Sequence, residues 1–137
     1  MKVILNKCDG GFGVSHKAIM LYFEKMGIDI YPYYSVSRGQ YVLGESPGST
    51  MSQRYFTEYY GEKVNGNDID WDKSIWINEN NREDPVLIDI VETLGNEASG
   101  RYAKLVVVEI PDELKDNYVI DEYDGIETLH QNVPCWW

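Results

Sequence analysis

Apolar residues open the chain as a short run. Val3, Ile4 and Leu5, within Lys2–Lys7, predict a buried or half-buried first strand. The spacing then turns helical: Ala18, Ile19, Tyr22, Phe23 and Met26 recur through "HKAIMLYFEKMG". Ser15 stands where an N-cap belongs and Gly27 where a helix stops. "IDIYPYYSV" reads as extended, with Pro32 favouring an edge or a break. A second helix is bounded by Asp84 as cap, Pro85 at the first helical position and Gly95 at the end. Leu87, Ile88, Val91 and Leu94 form its apolar stripe. "YAKLVVVEIP" predicts a central strand, and "NYVIDEYDG" another that ends in an Asp-Gly turn. The tail "GIETLHQNVPCWW" supplies a final strand or packing segment, its tryptophans covering the core or an oligomer interface.

The pattern is weakest over Arg38–Gly66. "SPGS" carries turn chemistry, and "QRYFTEYYGEKV" fits either an irregular helix or a strand pair exposing aromatics. A short strand is expected around Ser74–Asn78. The order is β-α-β, a mixed middle, then α-β-β. It predicts an α+β fold, a single small domain over 1–137 with a mostly antiparallel sheet packed with two main helices. A length of 137 residues suits one ordinary domain, and 43% apolar content opposes wholesale disorder. No apolar stretch is long enough to cross a bilayer, and "KVILNKCDGG" turns polar too soon for a secretion signal. The expected location is the cytoplasm of the cell that makes the protein.

Charge narrows the partners. Twelve basic against 23 acidic residues give a formal charge of −11, which repels duplex nucleic acid. No direct DNA or RNA binding is therefore expected, and no membrane contact. Two options survive: a small phosphorylated ligand held by one local nest of arginines and amides, or mimicry of nucleic acid by the acidic surface. Cys8 and Cys135 form no thiol motif, and in a reducing compartment both are expected to stay free.

Candidate chemistry is sparse. "NKCDGGFGVS" joins the first strand to the first helix, where free amides can cradle an anion near Phe12 and Ser15. It matches neither G-x-G-x-x-G nor G-x-x-x-x-G-K-[ST], and a tight packing turn is the better reading. "DIDWDKSIWINE" places carboxylates at calcium-loop positions 1, 3, 5 and 12, but Lys73 stands where the loop needs glycine. A solvated acidic hairpin is preferred there. His16 and His130 stand apart from any local metal cluster, and Cys8 with His16 lacks a third orienting residue. The carboxylates Asp121, Glu122 and Asp124 are neighbours of the kind an acidic chain produces readily. No catalytic constellation, metal site or cofactor is expected, and the chain does not read as an enzyme.

Positive charge is scarce enough for each arginine to matter. Arg101–Tyr102 and Arg54–Tyr55 pair a phosphate fork with a stacking face, and Arg82 precedes a helix N-terminus. Arg38 follows the tyrosine-rich "YPYYSVS", and Lys104 adds another cation. For each alone, a surface ion pair with an abundant carboxylate is the simpler role. Their recurrence beside tyrosines strengthens the joint case.

"NKCDGGFGVS" resembles the opening N-K-C-x-G-G-F-G-x-S of small phage and prophage proteins. "REDPVLIDIVETLG", "LVVVEIP" and "DEYDGIE" are similar to the same family's second half, while Val36–Ser74 is unmatched. Within that group the size and α+β order resemble the Thoeris anti-defence sponges. The resemblance implies an oligomeric protein that sequesters a cyclic ADP-ribose-like or cyclic oligonucleotide immune signal without cleaving it. It implies a site that joins aromatic stacking to arginine contacts, with Arg101 and Tyr102 first, then Arg54, Tyr55, Phe12, Ser15 and Arg82. The alternative is an acidic protein-binding inhibitor that acts on a nuclease as a nucleic-acid mimic.

Overall fold

The computed structural model describes residues 1–37, 39–47 and 52–131. The expectations for Arg38, Cys135, Trp136 and Trp137 lie outside the described residues. The fold is α+β, and every strand pair among the described residues is antiparallel. The chain divides into two compact units, Met1–Tyr22 with Asn78–Trp137, and Phe23–Ile77.

In the first unit, β1 (Lys2–Asn6) pairs with β6 (Leu105–Glu109), Lys2 opposite Glu109 and Asn6 opposite Leu105. The expectation of a central strand over "LVVVE" is corrected here. β6 has β1 as its one strand neighbour among the described residues. One face of the pair carries Val3, Leu5, Val106, Val108 and Ile110, packed on Tyr118, Ile120 and Leu129. Those three belong to a hairpin of β7 (Tyr118–Tyr123) and β8 (Ile126–Gln131). Its Asp124-Gly125 turn has φ of 54° and 89°, the two left-handed residues that match strand twist. Across β1 and β6 also lies α2 (Pro85–Leu94), with Leu87, Ile88, Ile90 and Val91 buried. The Asp84 side chain accepts from the Val86 amide, and Gly95 turns the chain out at φ 60°, as the sequence predicts.

Helix α1 (His16–Met26) begins at Ser15, whose Oγ accepts from the Ala18 amide at 3.1 Å and donates to the Glu97 carbonyl at 2.6 Å. Ala18, Ile19, Tyr22 and Phe23 are buried, but Met26 is exposed on the last turn. Gly27, at φ 70°, ends the helix, with the Ile28 amide donating to the Phe23 carbonyl.

The second unit is built on a four-stranded sheet in the order β4-β2-β3-β5. Its strands are β2 (Tyr31–Ser37), β3 (Gln40–Leu43), β4 (Gln53–Phe56) and β5 (Lys63–Asn65). "QRYFTEYYGEKV" thus supplies two strands that sit at opposite edges rather than pairing with each other. The sheet packs Tyr33, Phe56 and Ile69 at its centre, against Tyr31, Tyr41, Leu43, Tyr60 and Val64.

Pro32 lies in an interior strand, against the expectation of an edge. It is tolerated because β3 ends beside it. The Gly44 amide donates to the Pro32 carbonyl at 2.8 Å, and Pro32 has no N–H to return. The Gln53 side-chain amide donates to the Gly44 carbonyl at 3.0 Å instead. The Gln53 Oε1 accepts from the Ser46 amide, so one side chain closes this end of the sheet.

The strand expected at Ser74–Asn78 is also corrected. Only Ser74 bridges, to Phe56, and the preceding residues form short 3-10 turns at Gly66–Asp68 and Trp71–Lys73. The acidic hairpin expected over Asp68–Glu79 is therefore not formed. Asp70 caps the second turn by accepting from the Asp72 amide, which is local backbone work. No helix among the described residues is long and apolar enough to cross a membrane.

Candidate functional site

Five of the seven sequence-designated residues fall in the first unit, and three of them serve the fold. Phe12 and Ser15 belong to the connection after β1, and Arg82 to the segment before α2. Arg82 closes the open edge of that strand: the Ile4 amide donates to the Arg82 carbonyl at 3.0 Å, and Arg82 Nη1 donates to the Ile4 carbonyl at 2.9 Å. The guanidinium also forks onto Glu127 at 3.1 and 2.8 Å, and Glu127 accepts from the Asn6 amide at 2.8 Å. Arg82 and Glu127 together occupy the place of a neighbouring strand. The same guanidinium lies 5.2 Å from the centre of the Phe12 ring. Ser15, as described, caps α1.

Glu127 sits at an inward position of β8 and is nearly inaccessible. Burial by itself would raise its pKa. The hydrogen bonds from Arg82 and the Asn6 amide, with the charges of Arg82 and Lys7, outweigh this and hold the carboxyl below its ordinary value. The sign follows for stability. A depressed carboxyl stabilises the fold fully above the unfolded glutamate pKa of about 4.3 and loses that contribution as pH falls through the folded value. Denaturant midpoints of the wild type and Glu127→Gln, measured from neutral to acidic pH, are therefore expected to converge as the pH falls below that point. A difference independent of pH would show that the charge of Glu127 contributes nothing.

Close approach requires glycine at Gly10 of "NKCDGGFGVS" and at Gly125 of the β7–β8 turn. A Cβ on Gly10 would fall 2.0 Å from the Tyr102 carbonyl oxygen, and one on Gly125 would fall 2.5 Å from the Asp9 carbonyl oxygen. The connection is clamped between the 100–103 turn and the β7–β8 turn, as a packing turn. Arg101 lies 5.8 Å from the Tyr102 ring centre, and both side chains are exposed. They form an open surface pair.

Arg54 and Tyr55 fall in the second unit, and there a groove exists. The segment after the Trp71–Lys73 turn runs along the outer edge of β4. The Thr57 amide donates to the Lys73 carbonyl at 3.0 Å, and the Ile75 amide to the Tyr55 carbonyl at 2.9 Å. This places two indoles beside β4. Trp71 is fixed by its Nε1, which donates to the Gly66 carbonyl at 3.0 Å, and by edge contacts with Phe56 at 5.4 Å and Tyr41 at 5.6 Å. Trp76 contacts the Tyr55 ring at 6.5 Å, and the Arg54 guanidinium stands 5.9 Å from the Trp76 ring centre. Arg54, Tyr55, Trp71, Ser74, Ile75 and Trp76 line a mostly apolar groove of about 380 Å³. Tyr55 forms its buried floor, and burial pushes its phenol well above the usual range, so it stays neutral.

The two indoles are 43% and 55% exposed although each is held by contacts, an arrangement that leaves aromatic faces open to a ligand. A larger groove of about 750 Å³ runs along β3 and β5, past Tyr41, Tyr60, Lys63 and Asp68. Tyr41 belongs to that groove and Trp71 to the smaller one, and their rings touch. Trp71 and Trp76 were not singled out from the sequence as site residues. Two tryptophans within six residues of an otherwise polar segment were the available signal. Among the described residues no group of three or more His, Cys, Asp or Glu could hold a metal ion.

No protein-family model, curated protein or solved structure matches the chain.

Proposed function

We propose that the protein is a non-catalytic binding module that sequesters a planar, anionic, nucleotide-derived ligand at the Arg54–Trp71–Trp76 groove. The observation that carries this reading is a guanidinium beside an exposed indole in a mostly apolar cleft. A cleft of this size lies at the small end of ligand pockets and suits one ring system. Indole faces stack on any base, and Arg54 offers a planar fork to phosphate. The net charge of −11 opposes an anionic ligand at long range, but a small ligand responds to the local field at Arg54. The resemblance to phage anti-defence sponges supplies the ligand class: a cyclic ADP-ribose-like or cyclic oligonucleotide immune signal, held in the host cytoplasm.

Calorimetry with cyclic ADP-ribose isomers and cyclic oligonucleotides is expected to give saturable binding to one class. Trp76→Ala is expected to weaken it by about 1–3 kcal/mol, roughly 5- to 150-fold in Kd. Ligand released by heat should be recovered chemically unchanged. Absence of binding to every nucleotide would sink the reading, and conversion to product would make the protein an enzyme.

The second reading, an acidic inhibitor of a nuclease, rests on the β7–β8 hairpin. Its tip presents Asp121, Glu122 and Asp124 around Tyr123, which is 85% exposed. On that reading a nuclease would be captured by the wild type and released by reversal of those three charges.

A further inference from the structure

The turn that carries Trp71 is tied to the sheet of the second unit at three points. Ile69 is buried in one cluster with Tyr33 and Phe56, and the Trp71 Nε1 donates to the Gly66 carbonyl. Between these two anchors stands Asp70, the cap of the turn, extended at φ −81° and ψ 98°. The Asp70 amide donates to the Tyr60 hydroxyl at 3.1 Å. Rotation of the peptide plane between Ile69 and Asp70 would re-aim the turn, and the Tyr60 hydroxyl holds the N–H of that plane.

Tyr60 is itself fixed by the core. Its amide donates to the Tyr33 hydroxyl at 2.8 Å, and Tyr33 donates in turn to the Gly61 carbonyl at 2.8 Å. Its ring meets Phe56 edge-on at 5.8 Å and Tyr33 at 6.2 Å. The hydroxyl has one proton and two acceptors near it, Glu58 Oε2 at 3.2 Å and the Asp70 carbonyl at 3.3 Å. The carboxylate is the stronger acceptor, so the proton goes to Glu58 and a lone pair is left for the Asp70 amide.

We infer that Tyr60 is the positioning residue for the Trp71 wall of the smaller groove, acting through its hydroxyl on the Asp70 amide. Tyr60 borders the larger groove and is not among the residues that line the smaller one. Without the hydroxyl, the Asp70 N–H must turn to water, and the turn loses the contact that sets its direction. Burial of Ile69 remains, so the turn stays on the sheet while the indole bond to Gly66 opens more often. The bearing on ligand affinity rests on the sequestration reading, whereas the positioning of Trp71 does not.

Tyr60→Phe removes the hydroxyl and keeps both ring contacts. In its NMR spectra the Trp71 indole Nε1–H is expected to exchange with solvent roughly 2- to 10-fold faster than in the wild type, the worth of one ordinary hydrogen bond. Trp71→Phe assigns that signal. The Tyr33 amide of β2 is expected to keep its wild-type exchange rate, because the sheet keeps its pairing. An unchanged Trp71 indole overturns the inference. So does a Tyr33 amide that quickens by the same factor, or a variant that does not fold, since the hydroxyl would then serve the whole unit. A cyclic nucleotide bound by the wild type is expected to bind Tyr60→Phe more weakly by a factor in that range, and equal affinity overturns the role in the site. If the wild type binds no nucleotide, the sequestration reading fails, and the exchange comparison, made without ligand, still decides the role of Tyr60.

Discussion

Arg82→Ala is expected to lower the unfolding free energy by about 3–5 kcal/mol, as urea or guanidinium titration would measure it. The loss has two physical parts. Glu127 would remain nearly inaccessible without the guanidinium that pairs it, and removal of one partner from a buried pair is far costlier than replacement of both. The Ile4 carbonyl would also lose the Arg82 Nη1 donor, and the Phe12 ring would lose its cation. The double variant Arg82→Met, Glu127→Leu separates these parts. It removes the orphaned charge but leaves the Ile4 carbonyl and the Asn6 amide without their side-chain partners. A partial recovery is expected, with about 1–3 kcal/mol of loss remaining for each unpaired group that stays dry. A cost below about 1 kcal/mol for Arg82→Ala, typical of an exposed pair, would refute the edge-closing role.

Gly10→Ala is the second large effect. Its Cβ would lie 2.0 Å from the Tyr102 carbonyl oxygen and 2.2 Å from the Tyr102 Cβ. Neither atom can be moved by a change of rotamer, so the whole connection must shift. The expected cost is about 3 kcal/mol or more, at the upper end for overpacking, which corresponds to a fall in Tm of roughly 10 °C at this chain length. Gly11→Ala is the matched control. Gly11 has φ 92° with nothing within 4 Å of its Cβ, so its substitution carries conformational strain alone. About 1–2 kcal/mol is expected there. If Gly11→Ala proved the more damaging of the two, the close approach to Tyr102 would not be the constraint at Gly10.

These two results bear on how much of the protein could be read from its residues. Asp84, Pro85 and Gly95 mark α2 within a dozen residues of one another, and Ser15 and Gly27 bound α1 in the same way. The Asp124-Gly125 turn specifies the β7–β8 hairpin as locally. Caps and turns depend on a few neighbours and on φ, so a linear reading reaches them. Pro32 shows where that reading ends. Its missing N–H argued for an edge strand, yet β3 stops beside it and Gln53 supplies the amide. Ser74–Asn78 read as a strand, yet only Ser74 bridges, to Phe56.

The candidate site was legible in its chemistry and not in its place. Arg54–Tyr55 was readable as a guanidinium beside an aromatic, but the partners that make a cleft are Trp71 and Trp76, brought in by backbone bonds at Lys73 and Ile75. Arg82 read as a cation free for an anion before a helix. Its fork is taken by Glu127, 45 residues away.

By itself the sequence determined the α+β class, both helices, the final hairpin and the acidic balance, because propensity, capping and charge act locally or sum over the chain. The tertiary structure alone decided which cation is consumed by the fold and which remains beside an open indole. That outcome depends on contacts between distant segments, whose energies appear only once the strands have paired.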